Sequence, residues 1–229
     1  MRAARNILLE ICSYSVEDAI AAQASGADRI ELCADRAADG ITPAHREITN
    51  ARKSLSINLH VMIRARGGDF LYSDSEFASM KDDVEFCRKA GVDGVVLGIL
   101  LPDSSVDVQR TRELTKLASP MSVTFHRAFD VAADPLKSLE QIIELGCDRV
   151  LTSGQAPSAL QGAGLIGKLI QQAGDRITIM PGARIRADNL AELIEFTGAR
   201  EFHSAAYING RFDLNEVVRM RKVLDRHSK

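Results

Sequence analysis

The chain has 229 residues, 45% of them hydrophobic and 26% charged, and its 29 basic and 31 acidic side chains leave a formal net charge of -2. That ordinary globular balance carries no basic footprint for nucleic acid, and no stretch approaches the roughly 20 apolar residues of a membrane-spanning helix. The basic residues ahead of the first apolar run do not make a secretory signal, because Glu10 cuts the run short and no small-residue cleavage site follows. Four cysteines (Cys12, Cys33, Cys87 and Cys147) occur without a CxxC pair in a chain long enough to fold without staples, which reads as a reduced, cytoplasmic protein.

Short β-rich runs alternate with amphipathic helical stretches throughout, the pattern of a parallel α/β sheet. Strands are predicted over Leu8–Cys12, Arg29–Cys33, Ile57–Ile63, Gly94–Ile99, Ser122–His126, Arg149–Ser153, Ile177–Met180 and Glu201–Ser204. The helices after them start at signals such as Ser15, Pro43, Asp74, Pro135 and Asp188. A weak repeat runs through the series: "SGADRIEL", "AGVDGVVL", "LGCDRVLT" and "TGAREFHS" put Gly26, Gly91, Gly146 and Gly198 at helix ends just before the second, fourth, sixth and eighth strands. Glycine suits a left-handed helix terminus. Eight βα units without a linker predict one domain over residues 1–229, a (β/α)8 barrel of the TIM type. An open doubly wound sheet is the competing arrangement, but it usually has about six strands and a glycine-rich fingerprint after the first, which is missing here.

In such a barrel the functional face lies at the C-terminal ends of the strands. Strand alternation places Glu10 with Cys12 and Glu31 with Cys33 on inward faces, while Leu9, Ile11, Ile30 and Leu32 face the helices. The two cysteines are expected at similar height near the mouth, with both glutamates roughly 7 Å deeper. His203 ends the eighth strand beside the first. Two thiolates suit Cu(I), and with an imidazole they also suit zinc, although free cysteine on a strand often acts as a small hydrophobe. Cys87 and Cys147 fall on a helix and at a helix-to-strand junction, where a structural role is expected.

The buried glutamates need partners, and Arg64, Arg66 and Arg127 stand at the ends of strands three and five. A pocket of Glu10, Glu31, Arg64, His126 and His203 would hold both signs of charge and two groups that titrate near neutrality, as acid–base catalysis on a small anion requires. A salt-bridged plug, with Arg64 neutralising either glutamate, is the bland alternative. The loop "RGGDF" adds two glycines and Asp69, and Ser153, Gly154, Gly182, Arg184 and Arg186 follow strands six and seven, where barrels bind phosphate through backbone amides.

With these residues assembled, the chain resembles the CutC family of copper homeostasis proteins nearly end to end. The likeness rests on "LEIC" with "SVEDA", "GADRIELC", "GITP", "VMIRARGGDFLYSD", "VTFHRAFD", "RVLTSG" and "EFHSA". It implies a TIM-like barrel, a cytoplasmic homo-oligomer (dimer or tetramer), and a Cu(I) site at Cys12 and Cys33; in the copper reading His203 or Met62 would complete the shell. The motif residues also include Glu10, Glu31, Arg64, Arg66, Asp69, His126, Arg127, Asp130 and His203. Two departures stand out: Ala65 replaces a common proline between the arginines, and "GARI" replaces a more glycine-rich stretch after strand seven. Two functions follow as expectations. One is Cu(I) binding in copper homeostasis. The other is a lyase- or isomerase-like enzyme acting on a small anionic or phosphorylated substrate, with Arg66, Asp69, Arg127, Asp130, Ser153, Gly154 and Gly182 as binding residues.

Overall fold

Alternating apolar and polar strand residues close into a ring in the computed structural model, which describes residues 7–228. The basic residues before position 7, considered above as a signal, and residue 229 lie outside the described residues. The strands are β1 (Leu8–Ser13), β2 (Arg29–Leu32), β3 (Asn58–Met62), β4 (Gly94–Leu97), β5 (Ser122–Phe125), β6 (Arg149–Thr152), β7 (Thr178–Pro181) and β8 (Glu201–Ser204). All pair in parallel in the order β7-β6-β5-β4-β3-β2-β1-β8. The ends of this series, β7 and β8, stand side by side without a ladder, so the barrel is nearly closed.

Eight helices surround the ring: α1 (Val16–Ala24), α2 (His45–Ser54), α3 (Asp74–Ala90), α4 (Val108–Ala118), α5 (Pro135–Glu144), α6 (Ala163–Ala173), α7 (Leu190–Thr197) and α8 (Leu214–His227). Outward strand residues such as Leu9, Ile11, Ile30, Val61, Phe125 and Phe202 are fully buried beneath them. At roughly 1.5–3 kcal/mol for each large apolar side chain, this layer is the main driving force for closure. The predicted starts hold for α1, where Ser15 accepts from the Asp18 amide, and for α3, where Ser73 and Glu76 form a capping box. The predicted stops hold as well. Gly26, Gly91, Gly146 and Gly198 all have positive φ, from 67° to 108°.

The structure differs from the expectation in three places. Several strands stop a residue or two early, β2 at Leu32, β3 at Met62, β4 at Leu97, β5 at Phe125 and β6 at Thr152. A short hairpin, β9 (Tyr207–Ile208) with β10 (Arg211–Phe212), precedes α8 and has no counterpart in the predicted elements. The register of β1 and β2 matters most: Glu10 pairs with Arg29, and Cys12 with Glu31. The two glutamate–cysteine pairs are therefore not level. β2 is displaced by one side-chain step, so Cys33 lies one rung above Cys12.

Candidate functional site

The base of the site is an ionic layer inside the barrel. Arg29, only 3% exposed, donates Nε to Glu10 and Nη2 to Glu201 (2.5 Å), and Arg149 donates Nε to Glu201 (2.6 Å). Two buried carboxylates thus meet two guanidiniums, the arrangement that makes buried charge tolerable. Glu10 is held well below the usual carboxylate range: burial opposes its charge, but Arg29 and then His203 outweigh it. The partner of Glu10 is therefore Arg29, not the Arg64 expected from the sequence. Arg64 is used differently. It donates to the carbonyls of Ala38 (2.8 Å), Gly40 (2.9 Å) and Gly68 (2.8 Å), fastening the long loops after β2 and β3 to each other.

Above this layer stand the sulfurs. Cys12 Sγ and Cys33 Sγ are 3.6 Å apart, and Cys33 Sγ is 3.5 Å from Glu31 Oε2. His203 bonds Glu10 Oε1 through Nδ1 at 2.7 Å and turns Nε2 toward Glu31, 3.7 Å away. The Cys12 thiol is lowered to about 5, first by its hydrogen bond with Cys33 and then, against burial, because His203 lies beside it. Burial, then the Cys12 charge, pushes Cys33 well above the thiol range and Glu31 well above the carboxylate range. His203 is raised well above the usual imidazole range: burial opposes its charge, but Glu31, Cys12 and Glu10 outweigh it. The cluster thus favours the charged forms of Cys12 and His203 and the neutral forms of Cys33 and Glu31.

Each cysteine and carboxylate is placed by its strand; the remaining residues come from strand ends and loops. A cavity of about 470 Å³ opens above the sulfurs, lined among others by Tyr14, Met62, Arg64, Phe70, His126 and Arg127. His126 accepts from the Ala128 amide at Nδ1 (3.1 Å), and burial, then Arg64, lowers it to about 3, so the ring is neutral with its proton on Nε2. Its ring lies against Gly98, where a Cβ would come within 2.5 Å of it.

Other predicted residues are occupied elsewhere. Arg66 pairs with Asp69 (2.7 Å) and Glu76 (2.7 Å) at the surface, away from the cavity wall. Asp130 takes Arg127 Nε (2.8 Å), the Thr152 hydroxyl (2.5 Å) and the Ser153 amide (2.9 Å). Gly154 donates its amide to Thr152 Oγ1 (2.8 Å), and Gly182 to the Thr152 carbonyl (2.9 Å). The amides considered for phosphate after β6 and β7 are thus already satisfied, those of Ser153 by the chain's own Asp130 carboxylate. Sequence reasoning missed Arg29, Arg149 and Glu201. Their signal was legible as inward alternation, with Arg29 two residues before Glu31 and Glu201 two before His203.

The donor set can be tested for a metal ion. Metal–sulfur bonds of about 2.3 Å at a tetrahedral angle put two sulfurs about 3.8 Å apart, close to the observed 3.6 Å. Ligand atoms of Cys12, Glu31 and Cys33 all lie within 4.8 Å of one another, as do those of Glu10, Glu31 and His203. The residues fit a soft ion at the sulfurs without rearrangement of the strands.

Fold and site together define an α/β barrel protein of the (β/α)8 type, with paired thiols and a polar cavity at the C-terminal ends of its strands. More narrowly, the chain belongs to the CutC family, whose sequence profile matches residues 7–208. It is 54% identical over 199 residues to a CutC family protein of Chromobacterium violaceum, covering 87% of this chain and 81% of that one. With a CutC family protein of Parabacteroides distasonis it shares 48% over 200 residues, covering 87% and 82%. The crystal structure of CutC from Streptococcus agalactiae superposes with a TM-score of 0.83 at 32% identity, covering 87% of this chain and 98% of that one. Thiamine phosphate pyrophosphorylase of Pyrococcus furiosus (TM-score 0.65, 15% identity, 97% of each chain) shares the barrel fold alone.

Proposed function

We propose that the protein binds Cu(I) through Cys12 and Cys33 as cargo and acts in copper homeostasis in the cytoplasm. The observation that carries this reading is the pair of sulfurs 3.6 Å apart, and its setting lowers the Cys12 thiol to about 5. Soft thiolates select Cu(I) over the harder ions that carboxylates prefer. The Streptococcus agalactiae relative is named as a candidate copper homeostasis protein. Glu31 and His203 Nε2 stand within reach as further donors, and a reducing cytoplasm keeps both thiols free. We also expect a homo-oligomer, a dimer or tetramer, and light scattering on the purified chain measures it.

Binding displaces the Cys33 proton, so affinity rises with pH. The test is Cu(I) titration against a chromogenic chelator under anaerobic, reducing conditions. Wild type is expected to hold one ion per chain, and the Cys12→Ser/Cys33→Ser variant none. Cys87 and Cys147 remain in both proteins as internal controls. Equal Cu(I) stoichiometry in the two would sink the proposal.

A further inference from the structure

An ion held by two sulfurs needs little of the cavity. At about 30 Å³ for a water's share of liquid volume, 470 Å³ is the space of about fifteen waters, enough for a small molecule. The wall built from the ends of β3, β5 and β7 has a chemistry of its own. Arg64 is 5% exposed, hydrogen-bonds only carbonyls, and keeps a buried Nε without a partner. His126 is 3% exposed, and its buried Nε2 also lacks a partner. The Phe70 ring links them, 5.0 Å from the Arg64 guanidinium carbon and 5.0 Å from the His126 ring.

Arg184 adds the third donor. It lines the cavity, and among the described residues its guanidinium has no ion-pair partner. Its backbone, like that of Ala183 before it, is left-handed (φ 55° and 83°). Two successive non-glycine residues in that region carry strain, and strain of this kind gathers where a side chain has to be aimed. Of the acidic residues lining the cavity, Glu31 sits at the sulfur end against Cys33, Asp130 is already taken by Arg127 and the β6 loop, and Asp39 is exposed at the rim. Arg186, the remaining arginine, spends its donors on the Ile185 and Tyr207 carbonyls and on Ser204. This wall is therefore cationic, with buried N–H groups that nothing in the protein accepts. The Arg64 charge has only carbonyl dipoles around it, so an anion in the cavity meets positive charge that no carboxylate neutralises.

We propose that Arg64, His126 and Arg184 bind the carboxylate or phosphate group of a small organic acid, in the same cavity as the thiols but independently of them. This goes beyond copper binding and stands or falls separately from it. The test is thermal unfolding of the full chain with inorganic phosphate, glycerol 3-phosphate, succinate or malate at matched ionic strength. Wild type, Arg184→Ala and Cys12→Ser/Cys33→Ser are compared. A saturable rise in Tm with an organic acid is expected in wild type and in the cysteine variant. Arg184→Ala, at an exposed loop position, should unfold like wild type without ligand and need about tenfold more of the same acid. A rise with glycerol 3-phosphate alone assigns a phosphorylated ligand; one with succinate or malate alone assigns a carboxylic acid. The proposal is overturned by no saturable rise at millimolar concentrations, by a rise with inorganic phosphate only, or by a rise that Arg184→Ala keeps.

Discussion

Replacing Arg29 by methionine tests whether the ionic layer supports the site. Arg29 is 3% exposed and bonds Glu10 (1% exposed) and Glu201 (9% exposed), so methionine keeps most of its length while removing the charge between two buried carboxylates. Breaking a buried ion pair from one side costs about 3–5 kcal/mol. Here each carboxylate retains a second cation, His203 at 2.7 Å from Glu10 and Arg149 at 2.6 Å from Glu201, which puts the cost near the lower end, about 3 kcal/mol. For a chain of this size that corresponds to a fall in Tm of about 6–12 °C. Thermal and urea unfolding measure it. Glu10→Gln/Arg29→Met should lose less than the two single variants combined, because the double change leaves no orphaned carboxylate at position 10. A shift below about 2 °C for Arg29→Met, or strict additivity in the double variant, would refute the reasoning.

Three further outcomes are expected. His126 is lowered to about 3 by burial, so only the unfolded chain takes up its proton between the ordinary imidazole value and that point. It contributes stability at neutral pH that is lost as the pH falls through this window. Urea unfolding of His126→Gln should therefore show a slope shallower by about 1.4 kcal/mol per pH unit there, and an unchanged slope would discount the buried neutral ring. Iodoacetamide at pH 7, read by mass spectrometry, should label Cys12 before Cys87 and Cys147, which burial pushes up to about 12; labelling of Cys87 first would contradict the thiolate assignment. Gly98→Ala places a methyl 2.5 Å from the His126 ring and should cost about 1–3 kcal/mol in denaturant unfolding, with wild-type stability counting against that packing.

Much of the fold was legible because it rests on local chemistry. Glycine at 26, 91, 146 and 198 marks helix ends, and alternation marks which strand residues turn inward; both are properties of short segments. The proximity of Cys12 and Cys33 was also legible, since consecutive strands of a barrel pair. Their relative height was not. Register between two parallel strands is set by the connecting helix and its packing, and no residue between 13 and 29 announces a one-step displacement. The same blindness hid the partner of Glu10. Arg29 begins its strand and drew no role in the sequence, whereas the register brings it level with Glu10. The β9–β10 hairpin went unread because two-residue strands carry no periodicity.

The one-step displacement of β2 decides how an ion could travel. Level pairs would give a ring of two sulfurs over a ring of two carboxylates, and passage between rings would require releasing both ligands at once. In the displaced arrangement Cys33 stands one step above Cys12, which lies level with Glu31, while Glu10 below is already held by Arg29 and His203. If Cu(I) binds as proposed, it would meet one sulfur before the other and could exchange its ligands one at a time at the mouth.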